Sequence, residues 1–188
     1  MTTNDLKAGH IYVSNAGKIQ VDGNIVAETG IDIGYSSGSG KSVLISTGNL
    51  ETAGLRLRSD AEMYTGTRTI VDGDVHLHGG ALWQMSGESN SISGTMYLED
   101  ATSDKPVVFK GEGAVLTMPG VIDFANSSWS GTEALMALDG VTLDFSLGVQ
   151  LRNIGFKLEP DEKNPPILTL ASTTSTATVW EEKNGSSV

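Results

Sequence analysis

Apolar residues recur at every second position through most of the chain. The pairs Ile11/Val13, Ile19/Val21, Ile31/Ile33, Val43/Ile45, Leu55/Leu57, Val75/Leu77 and Val107/Phe109 follow this period, which resumes at Val141/Leu143/Phe145 and Leu168/Leu170. Successive side chains of an extended strand point to opposite faces, so the period predicts short β-strands with one dry and one wet side. Between the strands stand punctuating residues: Asn15-Ala16-Gly17, Asp22-Gly23, Thr29-Gly30, Thr47-Gly48, Asp72-Gly73, Gly79-Gly80, Gly111-Glu112-Gly113 and Asp139-Gly140. Their close, even spacing leaves little room for helices. Only residues 131–138, Gly-Thr-Glu-Ala-Leu-Met-Ala-Leu, carry helix formers in sequence, and they read equally well as another strand.

Two all-β architectures fit this rhythm. In a parallel β-solenoid each coil contributes two or three short strands, with inward residues stacked on the coils above and below. In an antiparallel β-sandwich, Asp22-Gly23 and Asp139-Gly140 would close type I′ hairpins. The solenoid is the better expectation. Its repeated phrases are Gly23-Asn-Ile-Val-Ala, Gly48-Asn-Leu-Glu-Thr, Gly73-Asp-Val-His-Leu, Gly94-Thr-Met-Tyr-Leu and Gly140-Val-Thr-Leu-Asp, and its outward positions are Ser, Thr and Asn as often as they are charged. We expect residues 1–9 to be disordered or capping, 10–171 to form the solenoid, and 172–188 to be a Ser/Thr-rich strand or tail. Residues 84–94 read as a loop or a thin coil, and 157–166, with Pro165-Pro166, as a charged excursion kept out of any ladder.

The phrases Gly73-Asp-Val-His-Leu-His-Gly-Gly-Ala-Leu82, Gly113-Ala-Val-Leu-Thr-Met-Pro-Gly-Val-Ile122 and Gly140-Val-Thr-Leu-Asp-Phe145 resemble the coils of bacterial autotransporter passenger domains and related secreted β-helix adhesins. The resemblance covers most of residues 10–171. It implies a right-handed parallel β-helix displayed outside a bacterial cell as an adhesin or surface scaffold. The chain departs from that family in having neither a signal peptide nor a C-terminal barrel of alternating strands, which would make it a passenger fragment or a separately secreted relative. Phage tail fibres and tailspikes, often trimeric, use similar Gly-punctuated repeats.

Composition narrows the partners. Twelve Lys and Arg stand against 23 Asp and Glu, a formal charge of -11, so the surface repels polyphosphate and anionic lipid heads. We therefore expect no nucleic-acid partner. No stretch approaches the roughly 18 apolar residues that span a bilayer, and we expect no membrane insertion by this segment. The chain has no Cys, so a cysteine nucleophile, a disulfide framework and a thiolate metal site are excluded. With abundant Gly, Ser and Thr, this composition points to an extracellular or cell-surface setting.

Several constellations invite chemistry. Asp74, His76 and His78 alternate along one strand and share a face, which would begin a metal site. The carboxylate expected a few residues later is missing, because Leu82 and Trp83 stand there, and a solvated strand face is the better reading. Acidic clusters at Glu99-Asp100 with Asp104 and at Glu159 to Glu162 lack the spacing of a calcium loop. Asp123, Asp139 and Asp144 would supply paired carboxylates for glycan hydrolysis if neighbouring coils brought them together. Gly38-Ser39-Gly40-Lys41-Ser42 falls short of a phosphate loop, since Tyr35 stands where its first Gly belongs and a strand pattern follows. Of the aromatic residues Trp83, Trp129, Trp180, Tyr12, Tyr35, Tyr64 and Tyr97, only Trp129 is expected to be exposed, the others filling the core or capping coils. The sequence thus designates no catalytic, cofactor-binding or metal-binding residue and no cofactor. It predicts a non-enzymatic surface module that touches a carbohydrate or protein ligand and associates with copies of itself. A metal-binding or glycan-active β-helix enzyme and a trimeric phage-fibre segment are the alternatives.

Overall fold

The structure, a computed structural model, describes residues 2–35, 40–102, 104–124, 127, 135–146 and 148–152. These residues form a single 17-stranded sheet in which every strand pairing is parallel. Hairpins between strands require antiparallel pairing, so the sandwich alternative falls and the solenoid stands. The strands stack in three columns, one for each face of the coil.

The first face comprises β1 (Thr2–Thr3), β3 (Lys18–Val21), β5 (Val43–Ser46), β8 (Glu62–Thr65), β11 (Leu82–Met85) and the first halves of β14 (Val107–Thr117) and β16 (Met136–Asp144). The second face starts with the first halves of β2 (Leu6–Ser14) and β4 (Ile25–Tyr35) and continues through β6 (Asn49–Thr52), β9 (Arg68–Val71), β12 (Asn90–Ile92) and the second halves of β14 and β16. The third face holds the second halves of β2 and β4, then β7 (Leu55–Leu57), β10 (Val75–His78), β13 (Thr95–Glu99), β15 (Val121–Asp123) and β17 (Gln150–Arg152). Residues 2–9 belong to this stack as its bottom rung, where Leu6, Lys7 and Ala8 pair with Ile25, Val26 and Ala27.

In-register stacking builds the core. Ile11, Ile31, Leu55, Val75, Met96, Ile122 and Leu151 lie one above another, each 9% exposed or less. On the first face Met63, Trp83 and Phe109 form a similar column, fully buried, with the Trp83 and Phe109 ring centres 6.1 Å apart. The Trp83 indole nitrogen donates to Thr65 Oγ1 at 3.3 Å, so its polar edge is satisfied inside the coil. Residues 84–94 form part of a regular coil rather than a loop, and Asn90 points inward. Its Nδ2 donates to the Gly87 and Val115 carbonyls at 2.9 and 3.0 Å, and its Oδ1 accepts from the Thr69 amide at 3.0 Å.

The corners bring backbone against backbone. A Cβ on Gly94 would lie 2.3 Å from the Gly73 carbonyl carbon, and one on Gly73 would lie 2.0 Å from the Ala53 oxygen. Short polar side chains link successive corners: Asp5 Oδ1 accepts from the Asn24 amide at 2.6 Å, Asn24 Oδ1 from Asn49 at 2.9 Å, and Asp74 Oδ1 from Thr95 at 2.8 Å. Asp139-Gly140 is such a corner within β16, Gly140 having a φ of 75°. One strand takes the opposite phase to that expected. In β5 it is Leu44 that is fully buried, and Val43 and Ile45 face outward, half-buried. Of the segment read as helix or strand, residues 135–138 are described, and Met136 opens β16. The excursion at 157–166 and the tail at 172–188 lie outside the described residues.

Candidate functional site

The outward side chains of the third face read, rung by rung, Tyr12, Asp32, Arg56, His76, Tyr97, Asp123 and Arg152. The neighbouring outward position pairs His78 with Glu99, and Arg58 follows β7 at the same edge, its amide bonded to the Ile33 carbonyl at 2.9 Å. All three histidines of the chain and three of its four arginines, Arg56, Arg58 and Arg152, are therefore on this face. At matching positions the first face presents Lys18, Val43, Glu62, Leu82 and Val108, and the second Lys7, Val26, Glu51, Ile70 and Ser91.

His76 and His78 project outward from β10 between the buried Val75 and Leu77, as the alternation predicts. Asp74 does not join them. It precedes the strand at a corner, and its carboxylate is engaged by the Thr95 amide. The carboxylate facing the imidazoles is Glu99, from the coil above: Glu99 Oε1 is hydrogen-bonded to His76 Nδ1, and Glu99 Oε2 lies 3.1 Å from His78 Nε2. Asp100 Oδ2 is 3.6 Å from His78 Nδ1, and the His76 ring stacks on Tyr97 at 4.5 Å. Burial pushes the Glu99 carboxyl up, but the hydrogen bond with His76 and the positive charges of His78, His76 and Arg56 outweigh it and hold its pKa below the usual carboxylate value. Among the described residues no three histidine or carboxylate groups are arranged to hold a metal ion.

At the bottom of the same face a second cluster is built around Tyr12. Its ring stacks on His10, with centroids 4.1 Å apart, and it is 61% exposed. This overturns the expectation that the tyrosine fills the core or caps a coil. Tyr12 alternates with the inward Ile11 and Val13, so the pleat turns it to solvent. The Thr29 hydroxyl donates to the Gly9 carbonyl at 2.7 Å, which leaves its oxygen to accept from His10 Nδ1 at 3.1 Å. His10 Nε2 lies 3.8 Å from Asp32 Oδ2, and Asp32 in turn is the rung partner of Arg56. His10 Nε2, Asp32 Oδ1 and Arg56 Nε are all buried with no hydrogen-bond partner.

The other candidates disperse. Asp123 belongs to the third face, Asp139 to the first and Asp144 to the second, so the three carboxylates do not converge. Asp139 instead pairs with Lys110 at 2.7 Å, and the Ser146 amide, donating at 2.9 Å, lowers the Asp144 carboxyl pKa. In the acidic cluster Glu99 and Asp100 face the histidines, and Asp104 is exposed in the following turn. Lys41 of the Gly/Ser turn pairs with Glu62, which lowers that carboxyl further below its usual range with the help of the Tyr64 hydroxyl. Trp129, Trp180, the side chain of Tyr35, residues 36–39 and Glu159 to Glu162 lie outside what the structure describes. Comparison with protein-family models, curated proteins and solved structures found no match to this chain.

Proposed function

We propose that the chain is a non-enzymatic β-solenoid module displayed outside a bacterial cell, where its third face makes contact with a carbohydrate or protein surface. One observation carries the reading: all three histidines and three of the four arginines of the protein are gathered, with Tyr12 and Tyr97, on one face of the stack. A face built on a parallel stack holds such groups at a fixed rise of about 4.8 Å per rung, a geometry that recognises an extended partner without the ordering cost of loops. The likeness of the coils to autotransporter passengers supports the extracellular setting, and we take the coils to wind right-handedly, as parallel crossovers do. The charge of -11 argues against nucleic acid and anionic membranes as partners.

Self-association belongs to the same proposal. Leu82, Val108 and Ala137 are outward residues on successive rungs of the first face, above Glu62, an aliphatic stripe suited to lateral packing of copies. The same stripe favours the second reading, a trimeric fibre segment, whose sign is a trimer that survives detergent.

Adhesion of protein-coated beads to immobilised glycans and matrix proteins tests the proposal. Beads carrying the native protein are expected to adhere, and beads carrying the Arg56→Ser, His76→Ser, Tyr97→Ser variant to lose adhesion. Binding no greater than that of albumin-coated beads overturns it.

A further inference from the structure

We propose that the two ends of the stack are complementary, and that copies of this chain join head to tail, the bottom rung of one continuing the top rung of the next. The partner is a second copy. The contact is axial, separate from the lateral stripe of the first face and independent of which face meets a ligand.

The argument starts from how the inward columns end. On the second face Leu6, Ile25, Leu50 and Thr69 lie one above another, Asn90 continues the column by accepting from the Thr69 amide, and Leu116 and Leu143 complete it. Every member is buried except the first and the last, Leu6 and Leu143, which are only partly covered. The first face ends alike at its top. Leu44, Met63, Trp83 and Phe109 are fully buried, whereas Leu138, directly above Phe109, is 50% exposed. Among the described residues no strand pairs with β1 or β2 from below, or with β16 or β17 from above. Neither β2 nor β16 carries a proline or an inward charge, the devices that blunt an open strand edge, so backbone donors and acceptors stand beside apolar side chains at both ends.

The match between the ends selects a second copy. Continuing the second-face columns by one rung places Leu6 of the upper copy on Leu143 of the lower, and Lys7 on Asp144. The outward column of the third face likewise places Tyr12 on Arg152. Each pair is complementary in kind. Lys7, its side chain 73% exposed beside Glu28, meets a carboxylate already held in place by the Ser146 amide. The exposed Tyr12 ring meets a guanidinium oriented by two hydrogen bonds to Gln150, which makes a cation–π pair. Two tops face to face would instead gather the Asp139 and Asp144 carboxylates of both copies in one layer, within a chain of net charge -11. Two bottoms face to face would leave Leu138 and Leu143 uncovered. One rung is a small patch, so the contact falls among the weak interfaces of less than about 1,200 Å² and is populated near about 0.5 mM rather than at micromolar concentration.

Small-angle scattering at about 0.5 mM from the full chain carrying Leu82→Asp, which removes the lateral stripe, tests this, with circular dichroism confirming that each variant is folded. The particle should lengthen with concentration at constant cross-section. Lys7→Glu and Asp144→Lys should each weaken the association about fivefold, and the chain carrying both should regain it. On the same background a short bismaleimide should join Tyr12→Cys chains to Arg152→Cys chains in a mixture, and join neither variant to itself. A monomer at that concentration, as when residues 153–188 of the same chain cover the upper end, overturns the interface. So do cross-links formed as readily within one variant as in the mixture, single charge reversals without effect, or a double reversal that fails to restore what the single ones lose.

Discussion

His78 and Glu99 are direct rung partners on adjacent coils, with Nε2 and Oε2 3.1 Å apart. The same carboxylate is hydrogen-bonded to His76 through its other oxygen, so one acidic side chain ties two imidazoles of the coil below. The tie joins coils through their outer surface, independently of the core.

Its contribution depends on pH. Burial raises the Glu99 pKa, but the His76 hydrogen bond and the charges of His78, His76 and Arg56 bring the net value below normal. A carboxyl with a folded pKa below its unfolded value of about 4.3 stabilises the fold above that value and loses the contribution as pH falls through the folded pKa. Melting temperatures of native protein and Glu99→Gln should therefore differ at pH 6 and converge as the pH is lowered below about 4. A gap that stays constant across that range would show that the carboxylate charge does not hold these coils.

Asn90 should behave as a core residue although it is polar. Its three hydrogen bonds satisfy the Thr69 amide and the Gly87 and Val115 carbonyls inside the coil. Asn90→Ala removes the side-chain acceptor of the Thr69 amide and one donor from each carbonyl, Gly87 keeping the Val115 amide, and should destabilise the fold by about 2–4 kcal/mol, read from urea unfolding. Ser91→Ala, on the outward side of the same strand, should change stability by about 0.5 kcal/mol or less.

Corner packing gives a second contrast. Gly94→Ala would push a methyl to 2.3 Å from the Gly73 backbone and should cost about 1–3 kcal/mol through overpacking. Gly120→Ala meets nothing within 4 Å and should leave the melting temperature nearly unchanged. Equal effects at the two sites would contradict the stacking of the corners.

The aliphatic stripe on the first face predicts lateral association. Sedimentation of the native chain should show a species heavier than 19.7 kDa, and Leu82→Asp should shift it to the monomer. A native monomer at micromolar concentration would remove that stripe as an interface.

Strand positions were legible in the sequence because alternation and Gly corners are local signals, as at Val75/Leu77 and Gly73. The unbroken run Val43-Leu44-Ile45 was not, since apolar residues on both phases leave the inward side undecided, and the packing of Leu44 between Ile19 and Met63 selects it. Alternation places His76 and His78 on a common face but supplies no carboxylate, because Glu99 arrives through a coil-to-coil register that no local pattern encodes. Spacing alone groups Asp74 with them, yet a corner turns its carboxylate to the Thr95 amide. An aromatic residue such as Tyr12 is ordinarily a core filler, but its place between Ile11 and Val13 turns it outward.

Everything depends on the stack itself, and paired spin labels measure it directly. The chain has no Cys, so labels are placed at will on the outward column Gln20, Ile45, Tyr64, Gln84, Lys110 and Asp139 of the first face. With one label at Gln20→Cys and the second at Gln84→Cys, Lys110→Cys or Asp139→Cys, the separation should grow by about 4.8 Å at each step. Separations that fail to grow from one step to the next would contradict the solenoid and the contact face built upon it.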